Sequence, residues 1–378
     1  MMTELNNLDY NQIVFPKLGI DITINSDAFT IFGLTVKWYG IIIAFGIVLA
    51  MLYGFSQMKK FGLDADRAID CIFAGMIGGI IGARLYFVII EWENYKGDFK
   101  SIFNIRNGGL AIYGGIIGAV LAAALVAKWR KVKLLPLLDI AGMGFLIGQG
   151  IGRWGNFTNH EAFGYNTDSI FGMSSGKIQE QIYYMTASLN PTDTSKNAEL
   201  VASLPVHPCF LYESVWCLLG FALFAWFSKR RKYDGQLFLM YAGWYGLGRF
   251  FIEGLRTDSL MVGNLRVSQV LAAICVITSA ILLIVIGQKV KSMGEEYVLY
   301  CNTEESKQLL AEAEERMKKS KTNKSEDKTD IEDSEVSDEA EKNDDNNDSD
   351  DEDSDEFSEE NNNDLNEDNI NLEDKNNG

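Results

Sequence analysis

Read position by position, the chain alternates between long apolar runs and short charged loops as far as about residue 290, and is polar from there to its end. A helix that crosses a bilayer needs about 17–25 mainly apolar residues. Seven runs approach or meet that length. They are WYGIIIAFGIVLAMLYGF from Trp38, AIDCIFAGMIGGIIGARLYFVII from Ala68, GGLAIYGGIIGAVLAAALVA from Gly108 and LLPLLDIAGMGFLIGQGIG from Leu134. PCFLYESVWCLLGFALFAWF from Pro208, QLFLMYAGWYGLGRFFIEG from Gln236 and VSQVLAAICVITSAILLIVIG from Val267 complete the set. The fourth and sixth are the weakest, being glycine-rich and carrying charge. A buried helix of a water-soluble protein explains any one of these runs, but seven in one chain predict an all-α polytopic membrane protein with seven transmembrane helices.

The loops between the runs set an orientation. Lys59, Lys60 and Arg67 follow the first run, and Lys128, Arg130, Lys131 and Lys133 the third. Lys229, Arg230, Arg231 and Lys232 follow the fifth, and Lys289 and Lys291 the seventh. The even-numbered exits carry fewer bases for their length and mix in Glu91, Glu93 and Asp98. Basic loops stay on the cytoplasmic side, so the N-terminus is expected outside and the C-terminus inside. Residues 1–30 lack a basic stretch followed by a short apolar core and cleavage site, so no removable signal peptide is expected. The expected domains are an external N-terminal segment over 1–37, a seven-helix transmembrane body over 38–290 and a cytoplasmic tail over 291–378. Within the body, the loop over about 153–207 is the largest external piece. It is expected to fold as a small external head and, with residues 1–30, to cap the helices.

Charge changes the picture at one end only. From Cys301 onward there are 30 Asp and Glu against 9 Lys and Arg, so the whole-chain net of −18 belongs to the tail. The stretch TEESKQLLAEAEERMKKSK is expected to form a short helix, and the acidic, aperiodic remainder to be a disordered acidic C-terminal tail. Five cysteines without a C-x-x-C pair and two histidines give weak support for a disulfide framework, a metal centre or a redox site. Nothing in the chain points to nucleic acid.

Ionisable groups inside spanning helices are costly and mark function by default. Asp70 and Asp139 lie near the inner ends of their runs and are expected to pair with Arg67 and Lys133 or to reach water. Arg84, Arg153, Arg249 and Glu253 lie toward the outer ends, Arg84 and Arg249 about 8–9 Å below the boundary at about 1.5 Å rise per residue. Tyr39 and Tyr113 belong to the same layer. An interfacial belt of aromatic and basic anchors explains some of these residues, but it explains Glu253, Asn156, Asn159 and Glu161 poorly, because a belt needs neither carboxylates nor amides. The glycines of GMIGGIIGAR, NGGLAIYGG and GMGFLIGQGIG offer faces on which helices approach closely. Guanidinium groups bind phosphate and keep their charge when buried, so an outward arginine site suggests an anionic lipid headgroup as ligand. No nucleotide loop, zinc triad or G-x-S-x-G is present.

The stretch GRWGNFTNHEAFG at 152–164 closely resembles the signature of the bacterial prolipoprotein diacylglyceryl transferases, Gly-Arg-x-Gly-Asn-Phe-x-Asn-x-Glu-x-x-Gly, at every fixed position. VKWYG, GARLYF, GGLAIYGG, HPCFLYES and YGLGRFFIEGLR look like the family's other blocks in the same order, so the resemblance spans roughly 30–290. It implies transfer of the sn-1,2-diacylglyceryl group of phosphatidylglycerol to the lipobox cysteine of a preprolipoprotein, at the outer face of the bacterial plasma membrane. Glycerol phosphate leaves, a thioether forms, and no metal or organic cofactor is needed. The 38–290 body is then the catalytic domain, with membrane lipid as its surroundings. The resemblance implies that Arg153 binds the phosphatidylglycerol headgroup. It places Asn156, Glu161 and Gly164 on the family's important polar and glycine positions, Arg249 and Glu253 on its sixth-helix pair, and Tyr39 on its first-helix tyrosine. Arg84 is carried as a further substrate-binding residue.

Tyr113 departs from the pattern. Well-known members have histidine there, proposed as the base for the thiol. A free thiol titrates at about 8.5 and a phenol at about 10, so a neutral tyrosine is a poor base, and nearby arginines are an alternative means of stabilising the thiolate. Tyr113 is therefore expected to orient lipid or thiol. His160, at a variable signature position, and His207, at the start of the fifth run, are not expected to replace it. Two other classes compete: a lipid or anion transporter, which would continue polar residues through the inner halves of the helices, and a catalytically silent scaffold for lipoprotein precursors.

Overall fold

The computed structural model describes residues 8–105, 108–189, 196–257, 261–262 and 265–319. The expected disordered acidic stretch from residue 320 lies outside the described residues. The chain divides into units 1–316 and 317–378, the second described only at the helical residues 317–319.

The described chain opens with β1 (Gln12–Phe15) and β2 (Ile20–Thr23), followed by a hairpin of β3 (Asp27–Ile31) and β4 (Leu34–Lys37). Directly after it comes α1 (Trp38–Met58), then α2 (Ala65–Ile90), the short α3 (Trp92–Tyr95) and α4 (Phe99–Phe103), and α5 (Ile112–Trp129). The signature stretch ends α6 (Leu134–Thr158); β5 (Ser174–Ser175) and α7 (Gly176–Ala187) lead on to α8 (Cys209–Phe227) and α9 (Gln236–Leu255). A pair of short strands, β6 (Met261–Val262) and β7 (Leu265–Arg266), turns the chain into α10 (Val267–Met293).

The seven apolar runs coincide with α1, α2, α5, α6, α8, α9 and α10. Among the described residues six of these, all but α9, are long and apolar enough to cross a membrane. Four glycines with Arg249 and Glu253 dilute α9 below that level. The chain is thus mostly helical and polytopic, and the all-α expectation needs correcting at one end of the body. There, β1 pairs with β2 and β5, β3 with β4, and β6 with β7. These strands are only two to five residues long, too short for alternation to stand out in the sequence.

Burial separates lipid-facing helices from a central one. Ile116, Ile117, Val120, Leu121 and Leu125 of α5, and Ile274, Ile277, Ile281 and Ile284 of α10, are all exposed. Water does not tolerate such continuous apolar faces, whereas lipid does. In α6, by contrast, half of the apolar window is buried, because α1, α8 and α9 pack around it. A helix surrounded by protein needs shape rather than hydropathy, which is why α6 reads as a weak span.

The glycine faces do the predicted packing. A Cβ at Gly82 of α2 would lie 2.4 Å from the Gly114 carbonyl oxygen of α5, and one at Gly118 would lie 2.2 Å from that of Gly78. The α2 and α5 backbones therefore touch, as small-residue packing permits in lipid.

The opposite end from the strands is fastened by charge. Asp139 departs from its expected pairing with Lys133: its two oxygens accept from Gly235 N at 2.8 Å and Phe238 N at 2.9 Å. It thus caps α9 from a neighbouring helix, satisfying amides that would otherwise be orphaned in a low-dielectric setting. Asp70 pairs with Arg130 at 2.6 Å, not with Arg67, which pairs with Asp64 at 3.2 Å. The expected helix after Thr303 is present over residues 304–319. Here Ser306 Oγ donates to Gly62 O at 2.9 Å, Glu305 meets Lys133 at 3.0 Å and Glu314 meets Lys59 at 2.9 Å. Tyr300 N donates to Asp234 at 2.8 Å, and burial raises the Asp234 carboxyl above the usual range.

Candidate functional site

The functional residues gather at the strand-bearing end, where α6 and α9 finish and α8 begins. Asn159 closes α6, its N–H donating to Gly155 O at 3.1 Å. His160 and Ala162 then take positive φ values of 54° and 57°, turning the chain back across the helix ends. That fold-back carries Glu161 under Asn156 and delivers Gly164 to the junction of α8 and α9.

The centre of the site is Glu213, one turn into α8. Its Oε2 is paired with Arg153 Nε of α6, and its Oε1 lies 2.8 Å from Arg249 Nη1 of α9 and 3.9 Å from Arg256 Nη1. Arg249 Nη2 also meets Glu253 Oε2 at 2.6 Å, one turn along the same helix. The two carboxylates are 5% and 2% exposed, whereas the Arg153 and Arg249 side chains each retain 20%. The acids sit behind and the guanidiniums in front. Removing one partner from such a buried set typically costs about 3–5 kcal/mol, so the ions hold each other in place.

Among the described residues, three guanidiniums and two carboxylates meet in this ion-paired set. Arg153 Nη1 donates to Asn156 Oδ1 at 3.3 Å. Asn156 Nδ2 donates in turn to Glu161 Oε1 at 2.8 Å, with Asn159 Nδ2 at 3.4 Å from the same oxygen. Trp154 Nε1 donates to Ser214 Oγ at 3.1 Å, tying α6 to α8 beside the ion pair. Arg153 is thus oriented by Glu213 and Asn156 and keeps part of its guanidinium accessible.

Two other predicted residues belong to this assembly through close packing. A Cβ at Gly155 would lie 2.7 Å from Cδ2 of Tyr39, so the α1 tyrosine lies against the backbone of α6 between Arg153 and Asn156. A Cβ at Gly164 would lie 2.6 Å from Leu255 O, 2.9 Å from His207 Cβ and 3.0 Å from Cys209 Sγ. Gly164 N donates to His207 O at 2.9 Å, stitching the fold-back to the start of α8.

Arg84 and Tyr113 stand elsewhere. Arg84 directs its guanidinium at backbone carbonyls: Nε to Ile102 O at 2.8 Å, Nη2 to Ser101 O at 2.7 Å, and Nη1 to Gly108 O and Gly109 O at 3.0 and 2.8 Å. Its donors organise the connection from α4 to α5, and among the described residues no hydrogen bond or ion pair links it to the Glu213 set. Tyr113, at the second position of α5, is 37% exposed and has no hydrogen-bond partner among the described residues.

The histidines are struts. His160 is buried between Ser175 Oγ at 3.0 Å and Ile24 O at 3.1 Å, pinning the β1–β5 sheet to the end of α6. Burial pushes its imidazole below the ordinary value, only partly offset by the bond to Ile24. His207 lies 3.2 Å from Tyr212 Oη, and burial lowers it too.

Sequence reasoning missed Glu213, Arg256 and Arg266, whose Nη1 donates to the Glu253 carbonyl oxygen. Glu213 carried the same signal as Arg84, an ionisable residue inside an apolar run, and deserved the same weight. Arg256 and Arg266 lie just outside the runs, where a basic residue reads as an interfacial anchor.

A family model described as prolipoprotein diacylglyceryl transferase matches residues 26–285. The chain is 38% identical over 265 residues to the phosphatidylglycerol–prolipoprotein diacylglyceryl transferase of Clostridioides difficile strain 630, covering 70% of this chain and 96% of that one. It is 41% identical over 251 residues to the protein of the same name from Listeria welshimeri, covering 66% and 86%, and 39% identical over 274 residues to that from Clostridium novyi, covering 71% and 98%.

Proposed function

The chain belongs to the prolipoprotein diacylglyceryl transferase family, and from that premise we propose that it transfers the diacylglyceryl group of phosphatidylglycerol to the lipobox cysteine of preprolipoproteins, the first step of bacterial lipoprotein maturation. The thiolate sulfur attacks the glyceryl carbon bearing the phosphate. A carbon–sulfur bond forms as the carbon–oxygen bond breaks, its electron pair staying on the phosphate oxygen. Glycerol phosphate departs, and the thiol proton passes to solvent or to the departing phosphate.

One observation carries the reading: two guanidiniums from separate helices, Arg153 and Arg249, meet on one buried carboxylate with their remaining surface accessible. As the carbon–oxygen bond breaks, the phosphate moves toward two negative charges. Guanidiniums already oriented by Glu213, Glu253 and Asn156 meet that growing charge without reorganising, which lowers the barrier more than it tightens ground-state binding. The same positive field lowers the pKa of an incoming thiol.

In this reading Arg153 and Arg249 contact the phosphate, and Glu253, Glu161 and Asn156 orient them. Tyr39 and Gly164 shape the walls, and Tyr113 orients lipid or thiol. Arg84 is reassigned to holding the α4–α5 connection. Two features support an N-terminus outside and a C-terminus in the cytoplasm. Basic residues concentrate at the end bearing Lys59, Lys133 and Arg231, and the arginine site lies at the other end, which in this orientation faces the outer leaflet, where exported precursors emerge. The small core around Ile13, Phe163, Ile178 and Val206 is then the external head. With α9 as the seventh crossing, the domains divide as 1–37, 38–290 and 291–378.

The test is to incubate purified protein with phosphatidylglycerol and a lipobox peptide and weigh the peptide. Gain of a diacylglyceryl mass, absent when phosphatidylethanolamine replaces phosphatidylglycerol, supports the reading. Lipid or anion movement across vesicles with an unmodified peptide favours a transporter.

A further inference from the structure

Immediately inward of the Glu213–Arg249 pair, α8 and α9 share a contact that the transfer chemistry does not itself require. Trp216 of α8 donates from Nε1 to the carbonyl oxygen of Trp244 at 2.9 Å. Trp244 of α9 returns the bond from its own Nε1 to the carbonyl oxygen of Trp216 at 3.0 Å. The rings stack with centroids 4.2 Å apart and planes 13° off parallel.

Each helix carries the same five-residue spacing, WCLLG at 216–220 and WYGLG at 244–248. Each glycine makes room for the other helix's indole. A Cβ at Gly220 would lie 2.4 Å from Trp244 Nε1, and one at Gly248 would lie 2.3 Å from Trp216 Nε1. A helical carbonyl already accepts from the amide four residues on, here that of Gly220 or Gly248, and the missing side chain lets an indole N–H reach it as a second donor. The result is a reciprocal clamp with a pseudo-two-fold axis between the helices.

Its place gives it a consequence. Trp216 follows Glu213 by three residues, one turn along the same face of α8, and Gly248 immediately precedes Arg249 on α9. A packed apolar face alone lets two helices slide or rotate, because lipid competes for it on nearly equal terms. Two directional bonds to backbone atoms fix both sliding and rotation.

We infer that Trp216 and Trp244 are positioning residues for the phosphate site: they hold α8 and α9 in the register that sets the Glu213 carboxylate against the Arg249 guanidinium. The reaction that this register serves rests on the proposed function, but the register itself is read by lipid binding.

The test compares the full chain with Trp216→Phe, Trp244→Phe and Gly220→Ala, and with Trp226→Phe as a lipid-exposed control on the same helix. Phosphatidylglycerol affinity in detergent micelles, KM for lipid and for peptide, kcat and thermal midpoint are measured on each. The three clamp variants are expected to weaken phosphatidylglycerol binding and raise its KM by about tenfold, the loss of roughly 1.4 kcal/mol, with peptide KM unchanged. Trp226→Phe stays at the wild-type values. If the clamp variants only lower the thermal midpoint, and turnover falls with the folded fraction while both KM values and lipid affinity hold, the pair is merely structural and the inference is overturned. If wild type binds phosphatidylglycerol but transfers nothing, the proposed function fails, and the binding series still decides the clamp.

Discussion

Arg153 of α6 and Arg249 of α9 engage opposite oxygens of the same buried carboxylate, that of Glu213 on α8. Two like charges that would otherwise repel are thereby held side by side, each with part of its guanidinium accessible. A phosphate bound at their exposed edge experiences both at once. The geometry therefore ties three helices, rather than one motif, to the reacting group.

Glu213→Gln separates orientation from attraction. The amide keeps the shape and one acceptor but removes a negative charge, leaving the site more positive and less ordered. Turnover is expected to fall about a hundredfold, the scale of a lost transition-state donor, while KM for phosphatidylglycerol does not rise, because the added positive charge offsets in the ground state the affinity that misorientation alone, as in the clamp variants, costs. Steady-state kinetics at several lipid concentrations check this; intact turnover contradicts the orienting role.

Arg84→Met tests the reassignment of that residue. Four backbone carbonyls lose their donor, so the thermal midpoint is expected to drop by the equivalent of about 1–3 kcal/mol, with KM for phosphatidylglycerol unchanged. Tyr113→Phe, in the same assays, is expected to keep most of its turnover. Loss of turnover with lipid binding intact in that variant would assign the phenol a proton-transfer role.

Gly118→Ala places a Cβ against the Gly78 carbonyl oxygen and is expected to destabilise the α2–α5 pair by about 1–3 kcal/mol. Gly148→Ala, with nothing within 4 Å of its added Cβ, is the matched control and is expected to be neutral or slightly stabilising. Thermal unfolding in detergent, read on both variants and on wild type, discriminates them.

His160 predicts a pH dependence of the β1–β5 region. Its folded-state pKa lies below the ordinary imidazole value because burial disfavours the cation. The unfolded state therefore binds more protons as pH falls through the ordinary value near 6.5, and stability declines from there until the folded group also protonates. The thermal midpoint is expected to be lower at pH 5 than at pH 7, His207 contributing in the same direction. In His160→Gln the slope is expected to flatten. An unchanged slope in that variant would place the pH sensitivity elsewhere.

Depth along a helix is legible in the sequence, but direction around it is not. The seven runs fall on seven long helices because apolar length alone sets them. Depth places Arg84 level with Arg249, yet Arg84 faces the α4–α5 connection and Arg249 faces Glu213. The inner-end carboxylate Asp139 reads as a partner for Lys133, and only the approach of α9 reveals it as a cap for Gly235 and Phe238. The signature stretch is legible through its resemblance to the family pattern, and the structure adds that Arg153, Asn156 and Glu161 interact within it. Glu213 lies about sixty residues away from it, and its role depends on how α8 packs.

The most direct test of the central claim is rotational-echo double-resonance NMR on the protein with 15N-guanidinium arginine and bound phosphatidylglycerol in membranes. The lipid phosphorus is expected to be dephased by guanidinium nitrogens within about 4 Å, as a charge-assisted pair requires, and Arg153→Lys and Arg249→Lys are each expected to remove part of that dephasing. A phosphorus signal that feels neither arginine, or that loses nothing in one of the two variants, would contradict a site built from both.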